Sequence, residues 1–135
     1  MYLAFIALGS NIEDRRMHLN AGRVAIAALP DTFIVAESDV EETEALGGRQ
    51  QEKYLNQMLA VRTALEPMQL LRELQGIEKA NGRSRRERWA SRTLDLDIVA
   101  YGETTVATED LTLPHPGLAE RDFWQREIAQ LAERL

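Results

Sequence analysis

The chain has no cysteine among its 135 residues. That absence excludes a disulfide framework, a thiolate nucleophile and thiolate metal sites, and it fits a reducing compartment. Histidine is scarce too. Only His18 and His115 are present, too few soft ligands for zinc. No Gly-x-Ser-x-Gly elbow accompanies them, so a Ser-His-Asp hydrolase is not expected. The common nucleotide signatures, Gly-x4-Gly-Lys-Ser/Thr and Gly-x-Gly-x-x-Gly, are missing, and a nucleotide site would have to be built another way. No apolar run reaches membrane-spanning length. Met1 to Leu8 is apolar but short and lacks a basic flank, so it reads as a buried strand. A net charge of −6 argues against broad nucleic-acid binding. The expectation is a cytoplasmic protein of one domain over residues 1–135, a monomer, with no membrane or nucleic-acid partner.

Against this acidic background one stretch carries the opposite sign. Between Arg83 and Arg92 five arginines and one glutamate leave a net +4, and the loop passes directly into Asp95-Leu96-Asp97. On a strand, Asp95 and Asp97 project from one face, roughly 7 Å apart at Cα, while Leu96 anchors the other face. A hard cation such as Mg²⁺ takes one or two carboxylates and completes its shell with substrate phosphate and water. Arg83, Arg85, Arg88 and Arg92 offer bidentate, permanently charged contacts to phosphate oxygens. Either feature alone reads more simply as a solvated surface, but side by side they answer the same ligand. Trp89 inside the basic loop suggests a ring that stacks when the loop closes.

The hydrophobic pattern supplies a scaffold. Tyr2 to Gly9 reads as a central strand, and Ser10 and Glu13 stand at capping-box spacing for the helix that follows. In that helix Met17, Ala21, Val24, Ala25, Ala28 and Leu29 form the expected apolar stripe. Thr32 to Val40 is β-leaning and leads into an acidic, Gly-containing loop from Glu41. Tyr54 to Thr63 alternates, with Leu55, Leu59, Val61 and Thr63 on one face and Tyr54, Asn56, Met58, Ala60 and Arg62 on the other. Glu66-Pro67 opens a second helix buried through Leu70, Leu71, Leu74 and Ile77, and Asn81-Gly82 ends it. In the strand from Thr93 to Tyr101, Leu94, Leu96 and Ile98 oppose Asp95, Asp97, Val99 and Tyr101. Short extended pieces follow at Thr104 to Ala107 and from Leu111. Leu118 to Leu135 reads as a helical tail buried through Ile128, Leu131 and Leu135.

The predicted fold is α+β: a ferredoxin-like βαββαβ core with a mainly antiparallel sheet, helices packed on it and a C-terminal helical tail. One sheet face is then left for a ligand or for the tail. Tyr54 and Asn56 share one face of their strand, a stacking ring beside a donor–acceptor pair suited to a heterocycle. Pro114-His115-Pro116 fixes the direction of His115, which favours ligand contact.

These residues together resemble the 6-hydroxymethyl-7,8-dihydropterin pyrophosphokinase family of folate biosynthesis. The resemblance rests on Ala7-Leu8-Gly9-Ser10-Asn11, Tyr54-Leu55-Asn56, Ile77-Glu78 with Gly82-Arg83-x-Arg85, and Arg88-Trp89. It continues through Arg92-Thr93-Leu94-Asp95-Leu96-Asp97-Ile98, Leu113-Pro114-His115-Pro116 and Arg121-Asp122-Phe123. It implies transfer of pyrophosphate from ATP to the pterin hydroxymethyl group, with release of AMP and help from two Mg²⁺ ions. By position, Asp95 and Asp97 would hold both ions, and Arg83 and Arg92 would stabilise charge in the transition state. Gln75, Glu78, Arg88, Ile98, Thr112, His115 and Arg121 would surround the nucleotide, with Trp89 closing over it. Tyr54 and Phe123 would sandwich the pterin, Asn56 would read its edge, and the Thr43–Leu46 backbone would complete the pocket.

Three departures stand out. Trp89-Ala90-Ser91-Arg92 replaces the family's Trp-Gly-Pro-Arg. Glu44-Ala45 follows Thr43 where the family carries prolines. Trp124-Gln125-Arg126-Glu127 replaces an apolar, Pro-containing segment, and family members commonly run some 20 residues further. They motivate an alternative reading, a divergent paralogue that binds a pterin or nucleotide with weak or altered turnover. A third reading, an RNA-binding module of the same element order, conflicts with Asp95 and Asp97 on the face that would meet phosphate.

Overall fold

The computed structural model of the chain describes residues 1–12, 14–44, 53–82 and 93–135. Strand β1 spans Tyr2–Ser10 and is followed by helix α1, Arg15–Ala27. Strands β2 (Thr32–Glu37), β3 (Glu41–Thr43) and β4 (Tyr54–Thr63) come next, then helix α2 (Pro67–Ala80) and strand β5 (Asp95–Tyr101). A two-stranded hairpin of β6 (Val106–Ala107) and β7 (Thr112–Leu113), a 3-10 turn at Pro116–Ala119 and helix α3 (Asp122–Arg134) complete the chain.

The main sheet runs β2-β4-β1-β5, with β3 also paired to β4, and every pairing is antiparallel. The parallel strands β1 and β2 therefore lie on either side of β4, and β4 and β5 on either side of β1. This is the split βαβ arrangement expected of a ferredoxin-like core. Both inner strands are apolar on both faces, and two cores explain why. On one face Ala4, Ile6, Leu8, Leu55, Leu59, Val61, Leu96 and Ile98 pack with Leu19 and Ile26 of α1 and Leu70, Leu74 and Ile77 of α2. On the other, Ala7, Ala36, Met58, Ala60 and Val99 pack with Trp124 and Leu131 of α3. The tail thus occupies the second face, but only in part.

Local chemistry accounts for most helix ends. Glu66 and Gln69 form a capping box at the start of α2, with Pro67 in its first turn, and Gly82 takes a positive φ of 81° just past its end. Several expectations are corrected. The N-cap of α1 is Asp14, whose side chain accepts from Met17 N, whereas Ser10 ends β1; Glu13 lies outside the described residues. The buried face of α1 is His18, Leu19, Gly22 and Ile26, while Met17 and Val24 are exposed. Gly22 conceals this face because glycine adds nothing to an apolar pattern. Its missing side chain lets Leu8 and Leu94 close in, to 3.2 and 3.3 Å from where a Cβ would stand.

Tyr101 was expected beside Asp95, Asp97 and Val99. A register shift between β1 and β5 leaves Val99 without an opposite residue and returns Tyr101 to the core beneath α1 and α2, where its hydroxyl donates to Leu65 O. Glu41–Thr43 is strand, not loop. In α3 the buried positions are Trp124, Glu127 and Leu131; Ile128 is half-buried and Leu135 exposed.

Candidate active site

Side chains that point toward α3 but lie beyond its reach form the site. In register across the sheet, Thr43 of β3 opposes Tyr54 of β4, Asn56 opposes Gly9 of β1, and Gly9 opposes Asp95 of β5. Asp97 follows one pleat on, opposite Ala7. Each sits on the α3 side because its neighbours, Leu55, Leu96 and Ile98, are buried against the other helices. The face therefore reads aromatic, amide, bare backbone, carboxylate, carboxylate.

Hydrogen bonds fix this row. Asn56 Nδ2 donates to Thr43 Oγ1 at 2.6 Å, which ties β3 to the buried amide and orients its carbonyl oxygen. Tyr54 OH donates to Asp95 Oδ2 at 3.3 Å. Gly9 makes the row possible: a Cβ there would stand 3.2 Å from Tyr54 Cδ1 and 3.3 Å from Asn56 Oδ1, inside ordinary contact. From the α2 side, Glu78 is buried and its Oε2 accepts from the amide of Leu96, between the two aspartates, at 2.8 Å. That bond holds the backbone whose two side chains must point the other way.

The border of the face comes from the segment after β7. His115 N donates to Val99 O at 2.9 Å, which fastens the segment to β5. Its Nδ1 accepts from Gly117 N at 2.9 Å, so in the neutral ring the proton sits on Nε2. Nε2 faces Asp97 Oδ1 at 3.8 Å. Burial first, and the nearby Arg121 second, hold His115 below the ordinary histidine pKa. Arg121 lies with its guanidinium 4.3 Å over the ring of Trp124.

The structure thus brings Thr43, Tyr54, Asn56, Asp95 and Asp97 onto one face, with His115 against it and Arg121 and Phe123 near the start of α3. Gln75 is half-exposed on α2, and Thr112 is exposed on β7. The Ile98 side chain is sealed in the core beneath α1 and α2. Leu46, Arg83, Arg85, Arg88, Trp89 and Arg92, together with the Ala90-Ser91 departure, lie outside the described residues. Sequence alone assigns Gly9, Gly117 and Trp124 no role in the site; Gly9 appears within the Ala7-Leu8-Gly9-Ser10-Asn11 motif and Trp124 only within a departure from the family pattern. Of the three, only Gly9 leaves a structural signal there, as the glycine that ends an otherwise apolar strand.

Two half-exposed carboxylates on one strand face suit a hard divalent cation that takes its remaining oxygens from phosphate and water. Among the described residues there is no cluster of three or more His, Asp or Glu that would enclose a metal with protein ligands alone. None of the described helices is long and apolar enough to cross a membrane.

Fold and face together define an α+β, ferredoxin-like ligand-binding domain with a carboxylate-lined open face. A sequence profile described as 7,8-dihydro-6-hydroxymethylpterin-pyrophosphokinase (HPPK) matches residues 5–133, and the chain belongs to that family. Similar proteins include the 2-amino-4-hydroxy-6-hydroxymethyldihydropteridine pyrophosphokinase of Haemophilus influenzae, 42% identical over 135 residues. That match spans 100% of this chain and 84% of the relative. The Bacillus subtilis enzyme of the same name is 35% identical over 98% of this chain and 80% of its own length. The Pseudomonas aeruginosa one is 39% identical over 97% and 81%. A crystal structure of HPPK-DHPS in complex with substrates superposes with a TM-score of 0.65 at 12% identity, over 89% of this chain and 38% of that one. At that identity the likeness establishes the fold.

Proposed function

We propose that the chain is a Mg²⁺-dependent pyrophosphokinase of folate biosynthesis. The hydroxymethyl oxygen of 6-hydroxymethyl-7,8-dihydropterin attacks the β-phosphorus of ATP and loses its proton. The bond from that phosphorus to the α,β-bridging oxygen breaks, and AMP leaves. The observation that carries this reading is the continuous row Tyr54, Asn56, Gly9, Asp95 and Asp97. It sets a ring-stacking and edge-reading pair beside two carboxylates on one rigid sheet.

Tyr54 and Phe123 take the pterin faces, Asn56 reads its edge, and Thr43 with the backbone toward Leu46 closes the pocket. His115, Arg121, Gln75, Glu78, Arg88, Thr112 and the main chain at Ile98 surround the nucleotide, and Trp89 closes with its loop. Asp95 and Asp97 would hold two Mg²⁺ ions. Bound there, they would neutralise the negative charge of the nucleotide phosphates. Arg83 and Arg92 supply further positive charge to the transferring group. The relatives of the same enzyme name, matched over nearly the whole chain, weigh against a poorly active paralogue. AMP should form from ATP only when the dihydropterin and Mg²⁺ are both present. Absence of AMP above background in that assay would sink the proposal.

Gly9 provides a geometric test. A Val side chain there meets both Tyr54 and Asn56, and it should raise KM for the pterin about tenfold with KM for ATP within twofold. Equal effects on both substrates in steady-state kinetics would count against the pterin assignment of this pair.

A further inference from the structure

Trp124 is buried beneath the first turn of α3, 3% exposed, among Ala7, Ala36, Met58, Ala60, Val99 and Leu131. Packing alone would explain a large apolar ring there. Its polar neighbours are harder to explain by packing. The His115 ring meets it edge-on, with centroids 4.8 Å apart and planes at 87°. The Arg121 guanidinium carbon lies 4.3 Å over its centroid. Phe123 touches it at 6.3 Å in a second tilted contact.

Gly117 completes the cage. Its N–H holds His115 Nδ1 and its carbonyl accepts from Arg121 N at 3.0 Å. A Cβ on it would stand 3.0 Å from Arg121 Nε and 3.1 Å from His115 Nδ1. Arg121 is thus confined between the Trp124 ring and the Gly117 backbone. A free arginine side chain samples many rotamers, and ordering it on binding costs affinity. An electron-rich indole face holds the guanidinium in place before any ligand arrives.

We propose that Trp124 is a positioning residue for nucleotide binding: its ring pre-orients Arg121 and His115 together, so that both are set before ATP enters. This rests on the nucleotide-contact reading of those two residues given above. The ring is 3% exposed and in contact with both side chains, so it acts through them.

The test measures affinity for Mg²⁺ with the non-hydrolysable ATP analogue adenosine 5′-(α,β-methylene)triphosphate by calorimetry, together with both KM values. Trp124→Leu should weaken analogue binding and raise KM for ATP by about three- to tenfold, the range a cation–π contact of this kind supports. KM for the pterin should change less than KM for ATP, because Phe123 meets the Trp124 ring only at 6.3 Å between centroids whereas Arg121 lies 4.3 Å over it. Trp124→Phe, which keeps an aromatic face, should recover most of the loss. Trp124→Met serves as the non-aromatic variant if the Leu protein does not fold, as judged by its melting transition. In an Arg121→Ala background, Trp124→Leu should cost less than in the parent, because one of the two contacts it supports is already gone, and with His115→Ala added it should cost little.

Equal behaviour of the Phe and Leu variants, equal shifts in both KM values, or full additivity with Arg121→Ala would overturn the proposal and leave Trp124 a packing residue. Unchanged analogue affinity in Arg121→Ala and His115→Ala would overturn the nucleotide-contact reading itself, and this inference with it. Weakened affinity in those two variants beside wild-type affinity in Trp124→Leu would overturn the role of Trp124 alone.

Discussion

Asp97→Asn is expected to lower kcat by about 10²–10³-fold while leaving the fold and KM for the pterin nearly unchanged. Asp97 is half-exposed, opposite Ala7, and flanked by Leu96 and Ile98, which secure the strand from the other face. Asparagine keeps the shape and leaves that packing untouched, so stability should hold. What it removes is charge. A hard cation that takes its other ligands from phosphate depends on ionised protein carboxylates, and a neutral amide replaces them poorly. Pyrophosphoryl transfer asks the protein for little covalent work, so lost charge neutralisation appears directly in the rate. Asp95→Asn should differ in one respect. Asp95 Oδ2 also accepts from Tyr54 OH, so KM for the pterin should rise along with the fall in kcat. Steady-state AMP release at saturating ATP and Mg²⁺, with melting curves beside it, separates the two. An Asp97→Asn enzyme within tenfold of the parent kcat would remove Asp97 from the metal site.

The elements that periodicity located best have one chemistry per face. In β4 and β5, Leu55, Leu59, Leu96 and Ile98 alternate with Asn56, Asp95 and Asp97, and the structure keeps that alternation. Alternation ceases to inform where a backbone irregularity intervenes. The slip beside Val99 adds one residue to β5, and no hydropathy rule anticipates that Tyr101 then returns to the other face. In α1 the mistaken stripe followed Met17 and Val24 because the true interface spends a position on Gly22 and another on the polar His18. In the candidate site, Tyr54, Asn56, Asp95 and Asp97 can be singled out from their chemistry and spacing, whereas Thr43 enters only through the family resemblance. Their adjacency is not legible, because Thr43, Asn56, Gly9 and Asp95 come together only through three strand pairings. Trp124 stands out in the sequence only as a departure from the family pattern, and only the folded chain shows Arg121 and His115 against it.

Glu127 is expected to make the folded protein less stable as pH rises, and its replacement should abolish that trend. The side chain is 0% exposed, on the face of α3 that meets the sheet, and neither carboxylate oxygen has a hydrogen-bond partner among the described residues. Burial first, and the negative charge of Glu41 second, push its pKa up from 4.5 to about 8; Arg126 opposes this only in part. The Arg126 guanidinium is itself engaged with Glu41 at 2.6 Å. Below pH 4.5 the carboxyl is protonated in both folded and unfolded chains, and it contributes no pH dependence. Between 4.5 and about 8 the folded chain retains a proton that the unfolded chain releases, so raising pH favours unfolding. The slope from this group is about 1.4 kcal/mol per pH unit, and it levels off above its folded pKa. Glu127→Gln should flatten that component. Glu127→Leu, which adds an apolar neighbour to Leu131 and Trp124, should stabilise the protein at pH 7.5 by about 2–3 kcal/mol, a rise of several degrees in Tm. Urea unfolding of parent and variants at pH 5, 6, 7 and 8 reads the difference directly, since every other titrating group is common to them. Parallel curves would show that the folded protein supplies Glu127 with water or a partner. A gap that widens with pH would mean that α3, which carries Trp124 and Phe123 to the site, is held against the sheet most firmly when Glu127 keeps its proton.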